Sequence, residues 1–245
     1  MGEDGGVLQM YDCADPDARL VGLAAATASV AAGELVVLPT DTVYGIGADA
    51  FTSTAVAALL QAKGRGRDMP VPVLVGSWAT VDGLVSVVTA STRQLIEAFW
   101  PGGLTLVVRH APSLSWDLGD AAGTVAIRMP LHPVAVELLE RTGPMAVSSA
   151  NLSGLPPART AAEARDQLGD SVAVYLEDGP VTTGLPSTIV DMTGERPRIL
   201  RAGAVGVDEL REVVADIVDA TTVAADSADA GTPQAGNADP TPTSS

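Results

Sequence analysis

The sequence predicts an α/β fold: a single open, twisted, mixed sheet of parallel and antiparallel strands with flanking helices. Three observations carry this. Short runs rich in Val, Ile and Leu alternate with segments of helical periodicity. Several intervals between the runs are too short for a crossover helix, so some neighbouring strands must be antiparallel. The alternating body, at about 200 residues, is of single-domain size, and it contains no internal repeat.

The elements follow in order. Leu35-Val36-Val37-Leu38 reads as a buried strand stopped by Pro39. Residues 53–62 form a helix with Val56, Leu59 and Leu60 on one face. Pro70 to Val75 is a strand that Pro72 confines to a sheet edge or a bulge. A helix over 91–99 ends at Pro101-Gly102-Gly103. Strands Leu104 to Arg109 and Thr124 to Met129 come next, then a helix from Pro133 to Arg141 leading into strand Met145 to Ser148. Thr160-Ala-Ala-Glu163 is a capping box opening another helix. Val172 to Leu176, Ser187 to Asp191 and Ile199 to Arg201 are strands, and Val207, Leu210, Val213, Val214 and Ile217 mark a last helix.

Composition bounds the possibilities. Of 245 residues 47% are apolar but only 3% aromatic, so the core is built from Ala, Val, Leu and Ile. One cysteine (Cys13) excludes an internal disulfide, and with His110 and His132 it cannot form a structural zinc site of the usual kind. No apolar run has the length of a membrane helix, and the N-terminus lacks the pattern of a secretory signal, so a cytoplasmic setting is expected. With 14 basic and 30 acidic residues the net charge is −16, which argues against stable nucleic-acid binding. A local basic pocket in an acidic body remains compatible. Residues 1–12 read as a flexible N-terminus and residues 13–220 as the body. Residues 221–245, rich in Ala, Thr and Pro with Val223 their one large aliphatic, read as a disordered acidic tail.

Candidate chemistry gathers in a few places. Lys63, the only lysine, stands in Lys63-Gly64-Arg65-Gly66-Arg67 at the end of a predicted helix. One cation there caps a helix dipole, whereas three with glycines between them can wrap an anion such as phosphate. Ser148-Ser149-Ala150-Asn151 with Ser153-Gly154 follows a strand, where open α/β sheets bind ligands or where an Asx/Ser turn forms. Gly45-x-Gly47-x-x-Ala50 matches a relaxed dinucleotide fingerprint. It is set aside, because Pro39 has already ended the strand and the stretch about 20 residues on is basic. No GxxxxGK[ST] loop and no GxSxG elbow occurs. Arg128 and Arg201 each interrupt an apolar strand, as a buried salt bridge or as a clamp for a carboxylate or phosphate. Asp41 reads as a turn residue or a base.

In this order and spacing the set resembles the YrdC-like threonylcarbamoyl-AMP synthase family, in its short single-domain form, from about Val36 to Gly203. The resemblance is carried by Pro39-Thr-Asp-Thr-Val-Tyr-Gly-Ile-Gly, Lys63-Gly-Arg65, Trp100-Pro-Gly-Gly-Leu-Thr, Arg128, Ser149-Ala-Asn151-Leu-Ser-Gly, Ser187-Thr-Ile-Val-Asp and Ile199-Leu-Arg201-Ala-Gly. Gly66, Leu74 and Gly103 depart from the common pattern and loosen the basic loop. The resemblance implies a YrdC-like catalytic domain over 13–220 with a concave active-site face. It implies a catalytic set of Lys63, Arg65, Ser149 and Asn151. L-threonine would be held by Thr40, Arg128, Ser148 and Ser187, and ATP by Lys63, Arg67, Thr124, Ser149 and Arg201. The implied reaction joins L-threonine and bicarbonate (or CO2) into a carbamate, whose oxygen attacks the α-phosphorus of ATP. Threonylcarbamoyl-AMP and pyrophosphate result, the former for tRNA modification by a downstream transfer machinery. Mg2+ is expected through the ATP phosphates, with no residues binding it directly and no tightly bound organic cofactor. The alternative is a non-catalytic RNA-binding module using the same basic patch, which the acidity and scarce aromatics disfavour.

Overall fold

The computed structural model describes residues 9–219. In chain order the elements are β1 (Gln9–Asp12), α1 (Pro16–Ala31), β2 (Val36–Leu38), β3 (Gly45–Asp49), α2 (Ser53–Ala62), β4 (Val73–Leu74), α3 (Trp78–Leu84), α4 (Ala90–Phe99) and β5 (Leu104–Arg109). There follow β6 (Thr124–Arg128), α5 (Pro133–Thr142), β7 (Met145–Ser149), α6 (Ala161–Leu168), a 3-10 turn (Gly169–Ser171), β8 (Val174–Glu177), β9 (Thr188–Asp191), β10 (Arg198–Arg201), α7 (Val207–Val213) and β11 (Val218–Asp219). All the strands join one mixed sheet in the order β1-β8-β2-β3-β7-β4-β6-β5-β9-β10-β11. Parallel pairs such as β5–β9 stand beside antiparallel ones such as β2–β3, whose connection over 39–44 is too short for a crossover helix. Among the described residues no helix is long and apolar enough to cross a membrane.

The period-2 alternation of the strands divides their side chains between two apolar layers. Val37, Ile46, Ala146, Leu106, Ile127 and Val190 face the layer closed by α2, α4, α6 and α7. Val36, Leu38, Val147, Val174 and Leu176 face the opposite layer, closed by Leu23, Ala26 and Val30 of α1 and by Val134, Leu138 and Leu139 of α5. These two helices cover only part of their face. Beyond β4, the same-face residues Thr105, Val107, Thr124, Ala126, Arg128 and Ile189 line a cavity instead. The concave face is therefore the uncovered half of one sheet surface.

The structure corrects several expectations. β4 is an interior strand between β7 and β6, because Pro72 stands just outside it and contributes its carbonyl, which accepts from the Val147 N–H at 2.8 Å. A proline lacks a donor, not an acceptor. The Gly45-x-Gly47 stretch, whose dinucleotide fingerprint was set aside, is strand β3, an element the sequence pattern did not mark. A Cβ at Gly45 would lie 2.6 Å from Val147 Cγ1, and one at Gly47 would lie 2.8 Å from Met145 Cε, so the glycines admit the side chains of β7. Gln9–Asp12, counted with the flexible N-terminus 1–12, pairs in parallel with β8. Residues 1–8 and the tail 221–245 lie outside the described residues. The capping box is half realised: Thr160 accepts from the Glu163 N–H, while the Glu163 carboxylate accepts from Arg159 N rather than Thr160 N. α7 ends at Val213, although Val214 and Ile217 remain buried past its end. Helix α1 escapes the sequence patterning, yet Asp15 caps it by accepting from Ala18 N at 2.8 Å, with Pro16 at its first turn.

Gly203 lies so close to the chain entering β9 that a Cβ would collide with Pro186 O and stand 2.6 Å from Ser187 C. Gly203→Ala is expected to cost about 2 kcal/mol through overpacking. The check is a lower urea midpoint at unchanged slope.

Candidate active site

Two segments far apart in sequence meet at the end of β7. Lys63 caps the C-terminus of α2, and Gly64 at φ +60° turns the chain away from the helix. The buried ammonium of Lys63 donates to Ser149 O at 2.5 Å and Asn151 O at 2.7 Å, while Ser153 N donates to Lys63 O at 2.9 Å. Arg65, two residues on, is thereby carried to Ser148, donating from Nη1 to its Oγ at 3.2 Å and from Nη2 to Pro70 O at 3.4 Å. Its Nε is buried without a hydrogen-bond partner. Asn151 shapes the following turn through Nδ2, which donates to Leu152 O and Leu155 O at 2.8 Å each, and leaves its buried Oδ1 without a partner.

A second knot ties the β2–β3 loop to the end of β6. Arg128 donates from Nη2 to Asp41 Oδ1 at 2.6 Å, from Nη1 to Thr42 Oγ1 at 2.8 Å and from Nε to Gly102 O at 2.8 Å. Its side chain is 7% exposed, and Asp41 also accepts from Leu131 N. The buried salt bridge weighed for Arg128 thus exists, and the same side chain still reaches the cavity. Thr40, buried beside this pair, donates to Val43 O at 2.7 Å. At the far side Arg201 grips Ser187, donating to its carbonyl from Nε at 3.1 Å and Nη2 at 2.7 Å, and to its Oγ from Nη2 at 3.0 Å.

Between these knots lies a cavity of about 500 Å³. Of the expected site residues, Thr40, Arg65, Thr124, Arg128, Ser148, Ser149, Ser187 and Arg201 line it. Lys63 and Asn151 stand behind the wall that Ser149 presents. Arg67, expected at ATP, is elsewhere: it pairs with Asp117 at 2.6 Å and Asp120 at 3.5 Å, half exposed. That pairing fastens the basic loop to the loop before β6, with Asp120 N donating to Arg67 O at 2.8 Å. The Asp117 carboxyl is held below its usual range by the Arg67 hydrogen bonds.

Among the described residues no carboxylate lines the cavity, in a chain of net charge −16. Burial, and then the charges of Arg128 and Arg65, lower the pKa of Arg201. Burial and the Arg65 charge lower that of Lys63 to about 8. Cations that disturb one another in an acid-free pocket are arranged for anions. Two residues have roles that the sequence did not assign to them. Asp41 orients Arg128, and Thr105 of β5 lines the cavity beside Ser187. The signal for Thr105 was available: in Leu104-Thr-Leu-Val-Val-Arg109 the alternation sends Leu104, Leu106 and Val108 inward and Thr105 to the other face.

The profile of the Sua5/YciO/YrdC family, described as telomere recombination, matches residues 28–203. The chain belongs to the Sua5/YciO/YrdC family. It is 62% identical over 215 residues to a Mycobacterium tuberculosis H37Rv protein provisionally named a threonylcarbamoyl-AMP synthase, covering 88% of this chain and 98% of that one. The Bacillus subtilis threonylcarbamoyl-AMP synthase is 36% identical over 80% of this chain and 57% of its own length. The crystal structure of Pyrococcus abyssi Sua5 complexed with L-threonine superposes with a TM-score of 0.81 at 30% identity, over 89% of this chain. This chain spans 64% of that Sua5 structure. Escherichia coli YciO, at 23% identity and TM-score 0.71, shares the Sua5/YciO/YrdC fold.

Two outcomes follow. The Lys63 ammonium, with its pKa near 8, loses its proton in the folded protein while the unfolded chain keeps it to 10.5. Turnover that depends on this charge therefore falls as pH rises through about 8. Folding stability on this group's account rises over the same interval, because the unfolded state binds the extra proton. Activity and the urea midpoint measured between pH 7 and 9 are expected to move in opposite directions. The comparison stops at pH 9 because the Cys13 thiol, raised to about 12 by burial in the fold, is already half ionised there in the unfolded chain and offsets part of the rise. Second, Arg128→Ala strands Asp41 and is expected to cost about 3 kcal/mol. Adding Asp41→Asn should recover part of that loss, read as non-additive denaturation midpoints.

Proposed function

We propose that this chain is an L-threonylcarbamoyladenylate synthase, a nucleotidyltransferase. It makes threonylcarbamoyl-AMP and pyrophosphate from L-threonine, bicarbonate (or CO2) and ATP. The observation that carries the reading is the convergence of Arg65, Arg128 and Arg201 on one acid-free cavity in a chain of net charge −16. The names of the relatives and the L-threonine complex of Sua5 support the same reading.

The chemistry suits a site without a strong base. The threonine amine and bicarbonate give a carbamate and water. The carbamate oxygen then bonds to the α-phosphorus of ATP as the α–β bridging P–O bond breaks and pyrophosphate leaves. The nucleophile is already an anion, so the protein has to hold two anions together and offset the charge growing on the phosphates. On this reading Arg128, Thr40, Ser148 and Ser187 hold the amino acid. Arg65, Ser149, Thr124 and Arg201 meet the nucleotide, and Lys63 and Asn151 set the loop from behind. Arg67 acts through its clasp to Asp117 and Asp120 rather than through ATP. Mg2+ would arrive on the ATP phosphates, since the cavity wall offers hydroxyls and cations rather than carboxylate ligands. The product's activated acyl group suits transfer to tRNA in the cytoplasm by a separate machinery.

The competing RNA-binding reading is disfavoured because the positive charge is gathered inside a cavity whose lining has one aromatic residue, Tyr44. The deciding experiment incubates the protein with ATP, Mg2+, labelled bicarbonate and each amino acid in turn. Labelled acyl-adenylate and pyrophosphate are expected with L-threonine. Absence of both, with salt-sensitive tRNA binding in their place, would overturn the synthase reading.

A further inference from the structure

We propose that Thr105 is a positioning residue at the amino-acid end of the cavity. It orients the Ser187 hydroxyl so that the pair presents one donated proton to a carboxylate-type oxygen of the substrate. The inference rests on the synthase reading of the same cavity.

Thr105 is the second residue of β5 and only 2% exposed. Its neighbours Leu104 and Leu106 enter the core, whereas Thr105 lines the cavity. The ladder pairs it with Ile189 of β9. One step beyond Leu106–Ile127 in the β5–β6 register, it lies level with Arg128. Its Oγ1 lies 2.8 Å from Ser187 Oγ, the one partner of that hydroxyl among the described residues. A hydroxyl buried this deeply is costly unless its hydrogen bonds are made.

Counting protons gives the bridge its function. Ser187 Oγ already accepts from Arg201 Nη2 at 3.0 Å. The two hydroxyls bring two protons, and one of them lies in the Thr105–Ser187 bridge. The other remains available to the cavity, on Ser187 if Thr105 donates, or on Thr105 if Ser187 donates. Either way the pair offers a single donor, with Arg201 on one side and Arg128 on the other. Flanking guanidinium groups select an anionic oxygen as its acceptor. Without Thr105, the serine proton is free to rotate away while the arginine still holds the oxygen.

The test compares steady-state kinetics of pyrophosphate release for the full chain, Thr105→Val, Thr105→Ser, Ser187→Ala and the Thr105→Val/Ser187→Ala double variant. Thr105→Val is expected to raise the KM for L-threonine about tenfold, the size of one lost hydrogen bond to a charged group. The KM for ATP should stay within about twofold, and Thr105→Ser should restore the wild-type value. The double variant should be no worse than Ser187→Ala alone, because Thr105 acts through that serine. Thr105→Ala, which removes the same hydroxyl without bulk, gives the same reading if the valine variant does not fold. An unchanged threonine KM, equal rises for threonine and ATP, or additive losses in the double variant would overturn the inference while leaving the synthase reading in place. A wild-type chain without threonine-dependent turnover would remove both.

Discussion

The site depends on a buried ammonium group held between two backbone carbonyls. Taking a lysine out of water is unfavourable, and the lowered pKa of Lys63 expresses that cost. It is offset by two hydrogen bonds at the end of a strand, to Asn151 O and to Ser149 O, the latter also accepting from Asn151 N. One side chain thus satisfies two carbonyls and joins the end of α2 to the end of β7. Arg65 follows Lys63 by two residues, so the same contact delivers a guanidinium to Ser148. Lys63 acts from behind the wall it builds.

Uneven coverage of the sheet makes the room. Helices α1 and α5 close their face from β1 to β4, and their buried leucines and valines match those of the strands beneath. On the strands beyond, the same face carries threonine, serine, arginine and aliphatic side chains that line the cavity. Three separate loops reach this floor, and each is fixed by its own buried or clasped cation: Lys63, Arg128 and Arg67.

Electrostatics work at two scales. The molecule as a whole is strongly acidic, which repels anions at a distance. Inside the cavity the sign reverses, and low-dielectric walls strengthen the arginine charges where they are needed. Arg67 marks the limit of this arrangement. Although it belongs to the same basic run as Lys63 and Arg65, its neutralisation by Asp117 and Asp120 turns it into a fastening for the basic loop.

Much was legible from the chain itself. Leu104–Arg109 and Ser53–Ala62 form at the residues that periodicity assigns, because their apolar patterns match one period and no other. The scarcity of lysine and the arginines interrupting apolar strands pointed to the cavity, since buried charge requires a reason. What the pattern could not show was pairing. β3 was hidden because its glycines exist to admit the side chains of β7, a contact invisible without the partner strand. Pro72 suggested an edge, yet its place just outside a two-residue ladder left β4 in the interior. Amino-acid order alone determined which side chains were available and which faces they could share. Only the folded sheet decided which cations reach the ligand space and which are taken by a carboxylate, because that depends on neighbours brought from distant segments.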